Sequence, residues 1–578
     1  MKQIFLSILL STISFLYANE LDKNLPPNIA AKVDEYTFIR RLYIDVAGRI
    51  PNKEEILNYT ESNDANKKSK LIVSLLNSED YVNNFYNVFA DILRIRPEKL
   101  SDNIQLRAYS YVQYIRDFLK NDVSYDEFVK SLLNSEGSPM VNGATGYLLR
   151  DDGMSLDNLA LSTKIFIGKD ISCCQCHDDP FSEYTQQQFY ELAAYMNNTN
   201  RKIVPEYREI MKRVNDEFGT STELSSNSSK LTDLERLRLR QRYQNSARQL
   251  LSANTINVFT DKTRLLKYPF DYQYNNASPN SVVVPKTLDS KSAGEPDNRR
   301  KLFAEWVVQH EDFQNVIANR IFQNLTGINL YYPQNPTDVD TANAKNRLFI
   351  EYLGSYFRNN KYSIKRLIHH ICDSDYYSRP AYNGSMDDFV FSGVAVRRMT
   401  SYQLWDSIMT MILDDPNYSK VDLSSYNDVV NIDFLTDRVD VSFLTTKIDK
   451  INLWEKELSD KFLKYNGIDL VRACFNYKGN NGFLGLFLKE FGASDRMLLD
   501  SSNQNGTVTQ LLVIMNSPLI KLITDKKSSV MQHKNREEIF LTMMGRPATL
   551  FEKSNMSNKH PDELVWILLN SNEFLFKH

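Results

Sequence analysis

Apolar residues recur at helical spacing along most of this chain, and that periodicity constrains the fold more than any other feature. The first clear segment places Phe38, Ile39, Leu42, Tyr43 and Val46 on one helical face. Glycine and proline, which favour turns, are scarce, at 19 and 18 of 578 residues. The sequence therefore predicts a mainly α, multi-helix, two-domain protein built from short helix–loop–helix units.

Polar residues at helix starts and glycines at helix ends support this prediction. Asn52 precedes Glu55 by three positions, which is the spacing of a capping box, and Ser78 can cap the helix that follows it. A second helical region opens at Asn298, and one of its helices is expected to end at Gly327.

Changes of composition along the chain suggest five segments. We expect a signal peptide over residues 1–19, a helical domain over 34–200, a charged helical insertion over 201–260, an extended linker over 261–297, and a helical carboxy-terminal domain over 298–578. No repeat of fixed period is found.

The first residues have the layout of a secretory signal. Lys2 precedes an apolar stretch from Ile4 to Leu16, and the small Ala18 precedes polar residues. We expect a periplasmic or secreted protein with no membrane span after signal cleavage, because no later segment has 18 uninterrupted apolar residues. An uncleaved amino-terminal anchor is the alternative. The net charge of −3 provides no broad basic field, so a nucleic-acid partner is not expected.

One short motif carries specific chemistry. Cys173, Cys174, Gln175, Cys176 and His177 read CxxCH, the attachment pattern of c-type haem. Its two cysteines can form thioethers with the vinyl groups of haem, and the adjacent histidine can bind the iron. The motif predicts one covalently bound haem c held by Cys173 and Cys176, with His177 as the ligand of the haem iron. An electron-transfer or redox-support role would follow, with a redox partner protein.

Other interpretations of the same cysteines stay open. They could form a disulfide or a thiol-redox pair. With Asp178 or Asp179, Cys173 and Cys176 could instead bind zinc or iron. The protein would then be a haem-free extracytoplasmic binding or scaffold protein with a carbohydrate partner. A hydrolase that uses acidic residues is the third hypothesis. No catalytic residues are identified, so the sequence names no enzymatic activity.

The sixth ligand of a haem iron could be a methionine. Met196, on the helix expected after the motif, is chosen as a cofactor-binding residue; Met154 and Met211 are further candidates, and an open iron position is the remaining choice.

Two other groups of residues are interpreted structurally. His369 and Cys372, with His370 between them, would share a helix but lack the further ligands of a metal site. Eight charged residues lie within apolar helical patterns and are expected to form partly buried ion pairs: Arg40, Arg41, Asp45, Asp91, Arg116, Asp126, Arg320 and Asp406. No spacing singles out a glycosidase pair of carboxylates among them.

Several blocks of this sequence resemble a known pair of domains. Residues 34 to 200 resemble the cytochrome-c-like domain of unknown function found in planctomycete secreted proteins, and residues 260 to 575 resemble the domain of unknown function that usually follows it. The matching blocks are FIRRLYIDVAGRIPNKEE from Phe38, YIRDFLKNDVSYDEFVKSLL from Tyr114, IFIGKDISCCQCHDDPFSEYTQQQFYELAAYM from Ile165, NRIFQNLTGINL from Asn319, RRMTSYQLWDSI from Arg397 and FGASDR from Phe491.

The resemblance implies haem c at Cys173, Cys176 and His177 and names no reaction. The chain departs from the family pattern at two places. Asp179 stands in CHDDPF where the family commonly has a second histidine, and Asp500 to Asn503 lack cysteines that the family often has there. The first departure removes any role of that histidine, and the second removes a cysteine site.

Overall fold

The fold is described from a computed structural model of the chain. The structure describes residues 20–25, 31–102, 104–197, 199–203, 205–220, 232–290, 298–419, 421–434, 437–499, 502–503, 507–533 and 535–578. The predicted signal peptide, residues 1–19, lies outside the described residues. So do residues 500 and 501, which belong to the second departure from the family pattern.

The amino-terminal region is a set of short helices joined by polar loops. Its α-helices are α1 (Glu20–Lys23), α2 (Glu35–Leu42), α3 (Lys53–Thr60), α4 (Lys67–Leu76), α5 (Glu79–Ile92), α6 (Tyr109–Asn121), α7 (Tyr125–Leu133), α8 (Gly146–Leu149), α9 (Ser155–Phe166) and α10 (Gln186–Ala193). A π-helical turn (Tyr43–Ala47) continues α2, and 3₁₀ turns occur at Gly143–Thr145 and Ser172–Gln175.

The charged segment that follows forms two long helices between two paired strands. The helices are α11 (Pro205–Thr220) and α12 (Asp233–Thr255), and the strands are β1 (Thr199–Ile203) and β2 (Ile256–Thr260). The strands pair antiparallel, with Thr199 opposite Thr260. The charged insertion therefore begins and ends at neighbouring strands.

The carboxy-terminal region is again helical. Its α-helices are α13 (Arg299–Gln309), α14 (Phe313–Thr326), α15 (Arg347–Asn359), α16 (Ile364–Asp373), α17 (Ser401–Ile412), α18 (Ser424–Val430), α19 (Val441–Asp460), α20 (Phe483–Glu490), α21 (Val508–Asn516), α22 (Pro518–Ile523), α23 (Arg536–Met544), α24 (Leu550–Met556), α25 (Pro561–Leu569) and α26 (Asn572–Leu575). Its 3₁₀ turns are Met386–Asp388, Ala473–Phe475, Gly479–Asn481 and Ser529–Gln532.

Two further pairs of very short strands lie in this region. β3 (Arg397–Arg398) pairs antiparallel with β6 (Phe576–Lys577), and β4 (Lys464–Tyr465) pairs with β5 (Ile468–Asp469). The predicted mainly α, multi-helix class is confirmed. The five predicted segment boundaries stay predictions.

Local sequence signals explain where several helices begin and end. The predicted capping box is present: the Glu55 backbone N–H donates to Asn52 Oδ1 at 2.9 Å, and the Asn52 N–H donates to Glu55 Oε2 at 2.8 Å. Ser78 caps α5, as predicted. Gly327 ends α14 with φ of +78°, a left-handed conformation that glycine adopts without a Cβ penalty.

Asp45 and Asp406 form buried ion pairs, as predicted. Asp45 Oδ1 lies 2.9 Å from both Arg397 Nη2 and Lys577 Nζ. Asp406 Oδ2 lies 2.7 Å from Arg472 Nε, and Arg472 also pairs with Asp80. Because such pairs are costly to break once they are removed from water, they fix how the helices pack.

The other predicted charged residues divide into two groups. Asp91 pairs with Arg496, Arg116 with Glu79, and Asp126 with Lys130. The guanidinium groups of Arg40, Arg41 and Arg320 donate instead to backbone carbonyl oxygens. Arg40 bonds to Met543, Glu573 and Phe574, Arg41 to Tyr377, Arg379 and His578, and Arg320 to Lys164.

Among the described residues, no helix has the length and apolar character needed to cross a bilayer.

Candidate functional site

The CxxCH motif forms a tight turn between α9 and α10. The backbone N–H groups of Cys176 and His177 both donate to the carbonyl oxygen of Cys173, at 3.1 and 3.3 Å. A 3₁₀ turn over Ser172–Gln175 forms part of this segment. The motif therefore lies in a compact turn between two helices.

The three cysteines of the turn differ in exposure. Cys173, Cys176 and His177 are exposed, whereas Cys174 is fully buried. The Cys174 thiol donates to the Tyr184 carbonyl oxygen at 3.4 Å, and burial raises the pKa of this thiol to about 11. Cys174 therefore anchors the turn, while Cys173 and Cys176 stay free thiols open to chemistry.

The imidazole of His177 is oriented by a neighbouring carbonyl. Its Nδ1 lies 2.7 Å from the backbone oxygen of Asp178. Because a carbonyl oxygen can only accept a hydrogen bond, Nδ1 carries a proton, and in the neutral tautomer Nε2 is the nitrogen that can coordinate a metal. A metal-binding histidine commonly has this arrangement, in which one ring nitrogen donates and the other coordinates.

Helix α10 supports the turn from its buried side. The side-chain amide of Gln186, only 4% exposed, donates to the carbonyl oxygens of Gln175 and Cys176 at 3.3 and 3.1 Å. The Tyr190 hydroxyl donates to the Gln175 carbonyl at 3.3 Å. A capping box at Thr185 fixes the start of the helix. These bonds satisfy the carbonyls of the turn and leave its thiols facing outward.

The segment after β2 supports the other end of the motif. The Asp178 N–H donates to the Tyr274 hydroxyl at 2.8 Å. From Tyr274 a series of aromatic rings leads back to Tyr190 through Tyr272 and Tyr268, with centroids 5.7, 4.8 and 6.0 Å apart. This aromatic series begins and ends on residues that contact the CxxCH turn.

The aspartates after the motif are occupied in local structure. Asp178 Oδ1 accepts from the Gln186 N–H at 2.8 Å, and Asp179 accepts from the Phe181 N–H and the Ser182 hydroxyl at 3.0 and 2.6 Å. Across the described part of the chain, no three His, Cys, Asp or Glu side chains are grouped to hold a metal ion. The alternative of a zinc or iron site that includes Asp178 or Asp179 therefore gains no support.

The three methionines considered as a sixth haem ligand lie in different surroundings. Met196 is 1% exposed and packs in the core, three residues past the end of α10 rather than on that helix. Met154 is 53% exposed, and Met211 is half-buried. The assignment of Met196 as a ligand stays a prediction, and this conformation keeps its thioether among apolar residues.

The carboxy-terminal half holds the chain just before the motif. Lys169 Nζ lies 2.9 Å from Asp312 Oδ2 and donates to the Val339 carbonyl at 2.7 Å. The Val339 N–H donates to the Gly168 carbonyl at 2.8 Å. Gly168 has φ of +63°, and a Cβ there would lie 2.7 Å from Val339 Cγ2. Glycine is therefore required at this approach to the motif.

Sequence reasoning did not identify these supporting residues. Gln186 stands in a run of three glutamines after its helix cap, so nothing local singles it out. Tyr274 and Asp312 lie far from the motif in sequence, and only the fold brings them to it.

The cluster of His369, His370 and Cys372 has a structural role, as expected. His370 Nε2 lies 2.8 Å from the Tyr352 hydroxyl, and its ring stacks on Tyr356 at 3.7 Å. Burial, together with neighbouring His369, lowers the pKa of His370 to about 4. Cys372 is fully buried.

Comparison with protein families gives two matches, in the order of the sequence. Residues 14–201 match the family PSCyt2, described as a protein of unknown function (DUF1549), and this region contains the CxxCH turn. Residues 299–559 match PSD1, also described as a protein of unknown function (DUF1553). No curated protein and no solved structure matches the chain.

Proposed function

Because the chain belongs to the proteins in which a PSCyt2 domain is followed by a PSD1 domain, we propose that it is an exported protein that holds one c-type haem. Cys173 and Cys176 would carry the thioether bonds, and His177 would be an axial ligand. The role we propose is electron transfer or the support of a redox step. The order of the two domains agrees with the resemblance noted in the sequence.

The observation that carries this proposal is the exposure of Cys173, Cys176 and His177 on the CxxCH turn. Cys173 and Cys176 are exposed free thiols, and His177 lies beside them with Nδ1 engaged and Nε2 available. This is the donor set that covalent haem attachment requires: two accessible thiols and one imidazole. The residues present therefore fit the group.

The supporting residues have defined tasks in this proposal. Gln186 and Tyr190 satisfy the carbonyls of Gln175 and Cys176 from the buried side, which keeps the two thiols on the outer face. The Asp178 carbonyl fixes the tautomer and orientation of His177. When bound, the haem iron supplies one-electron redox chemistry.

The proposal also covers where the protein is located and which kind of partner it has. Thioether attachment of haem takes place outside the cytoplasm in bacteria, so the secretory layout of residues 1–19 supports a periplasmic or secreted protein. Its partner would be a redox protein that exchanges electrons with the haem. The balanced charge of the chain provides no electrostatic basis for a nucleic-acid partner.

A haem-free binding or scaffold protein is the competing function. In that case Cys173 and Cys176 would form a disulfide or a metal clip, and any carbohydrate partner would bind elsewhere. No observation on the motif favours this alternative over haem attachment, and the same experiment separates the two.

The test uses the full chain produced in the periplasm with a c-type cytochrome maturation system. After denaturing electrophoresis, staining for haem peroxidase activity detects only covalently bound haem. We expect the wild-type band to stain and the Cys173→Ala and Cys176→Ala variants to lose all or most of the stain. His177→Ala should keep attached haem with an altered absorption spectrum.

Cys174→Ala is the matched control, because it removes a thiol from the same turn that is buried rather than exposed. It should keep most of the covalent haem. An unstained wild-type band with two titratable thiols would contradict the proposal, and so would equal staining in all four variants.

A further inference from the structure

A cavity of about 300 Å³ lies between the two matched regions of the chain, away from the CxxCH turn. Arg107 and Tyr109, at the start of α6, line it from the amino-terminal side. Glu455 of α19, Asp469 of β5 and Lys478 line it from the carboxy-terminal side. Small-molecule sites occur preferentially at such junctions, and this volume lies at the small end of their range.

The inner wall of the cavity is apolar. It is formed by buried aromatic and aliphatic side chains, among them Tyr109 and Phe475. Tyr109 is held by ring contacts with Tyr426, Trp454 and Tyr477, with centroids 4.8 to 5.7 Å apart. These contacts hold the Tyr109 ring in place, and the wall supplies apolar surface to the cavity.

Two ion pairs line the rest of the cavity. Arg107 Nε lies 3.1 Å from Glu455 Oε1, and both side chains are about one-third exposed, at 30% and 34%. Lys478 Nζ lies 2.5 Å from Asp469 Oδ2. The four charges cancel, so the cavity gives no electrostatic advantage to a ligand with a large net charge.

The Arg107–Glu455 pair keeps hydrogen-bonding capacity that the described residues do not use. Arg107 uses Nε for Glu455 and Nη1 for the Tyr477 carbonyl, so that its Nη2 is left over. Both side chains of this pair are partly exposed, so a ligand hydroxyl group can bond to either of them.

From this arrangement we infer that the cavity is a binding site for one neutral sugar ring. A carboxylate beside a guanidinium matches two neighbouring hydroxyl groups, because one hydroxyl donates to the carboxylate while the other accepts from the guanidinium. The apolar wall receives the C–H face of the ring. The volume admits a single ring, and the balanced charge selects a neutral one.

Titration with monosaccharides tests this inference. Saturation-transfer NMR on the full chain would use D-glucose, D-galactose and D-mannose as separate probes. We expect saturable binding of at least one of them, with a dissociation constant on the order of 1 mM. Glu455→Gln and Arg107→Gln should each weaken that binding at least fivefold. Glu537→Gln, which removes an exposed ion pair with Lys553, is the matched control and should change it less than twofold.

Three results would overturn the inference. The first is no saturable transfer to any of the three sugars at 50 mM, about fifty times the expected dissociation constant. The second is equal affinity in both cavity variants and the wild type. The third is tighter binding of glucuronate or glucosamine than of glucose. Circular dichroism identifies a variant that fails to fold, and the other cavity variant then decides. None of these results depends on haem, so failure here is distinct from failure of the proposed function.

Discussion

The five cysteines should react at very different rates, and the difference follows from the CxxCH turn. The perturbation is a brief treatment of the folded, haem-free protein with iodoacetamide at pH 8. Cys173 and Cys176 are exposed, whereas Cys174, Cys372 and Cys474 are buried. We expect only the first two to be alkylated at early times.

The magnitude for Cys174 can be worked from its environment. Burial raises its pKa to about 11, so roughly 0.1% of this thiol is ionised at pH 8, against about a quarter for a thiol with the usual pKa near 8.5. The more basic thiolate is intrinsically about tenfold more nucleophilic. The pKa shift alone should therefore slow alkylation of Cys174 by roughly 20-fold, and exclusion of the reagent from the buried thiol slows it further.

Peptide mapping by mass spectrometry gives the extent of alkylation at each cysteine over time. The same protein in denaturant is the control, and all five cysteines should then react. Alkylation of native Cys174 at a rate within a factor of three of Cys173 would refute the reasoning. So would protection of both Cys173 and Cys176 in reduced protein.

Three further predictions concern stability. Asp406→Asn should lower the free energy of unfolding by about 3 kcal/mol, because it removes one of the two carboxylates paired with the buried Arg472 and leaves only Asp80. Lowering the pH from 7 to 5 should cost about 2 kcal/mol at His370: its folded-state pKa of about 4 lies below the unfolded value of 6.5, so the unfolded chain takes up more protons and stability falls as the pH falls. Gly168→Ala should cost about 1–3 kcal/mol, because of its positive φ and the close approach of Val339. Urea unfolding measures all three.

Matched variants give each stability prediction its control. Glu537→Gln removes an exposed pair and should change stability by less than about 1 kcal/mol, so an equal loss in Asp406→Asn would contradict the argument from burial. His370→Gln should reduce the pH dependence. A fully stable Gly168→Ala protein would show that Val339 moves aside at no cost.

Much of the fold could be predicted because its signals are local. The capping boxes, the helix-ending glycines and the 3.6-residue periodicity act within a few residues, so the start of α3 at Asn52 and the end of α14 at Gly327 follow from sequence alone. The turn at CxxCH is local in the same way. Its backbone hydrogen bonds join residues 173, 176 and 177, whereas Tyr184, Gln186 and Tyr190 hold it from outside the motif.

The surroundings of the motif could not be predicted, because they depend on contacts between distant residues. Tyr274 bonds to Asp178 across 96 positions, and Asp312 pairs with Lys169 across the junction of the two halves. Periodicity places residues on a helix face but does not say which face meets which partner. The position of Met196 shows the same limit: α10 ends three residues before it, and its side chain enters the core.

Intact-protein mass spectrometry under denaturing conditions tests the central claim most directly. The chain would be produced with a maturation system, purified and unfolded before measurement. The proposal predicts a mass increase equal to one haem, located by fragmentation on the peptide that contains Cys173 and Cys176. An unmodified polypeptide mass, with both thiols free or joined to each other, would contradict it.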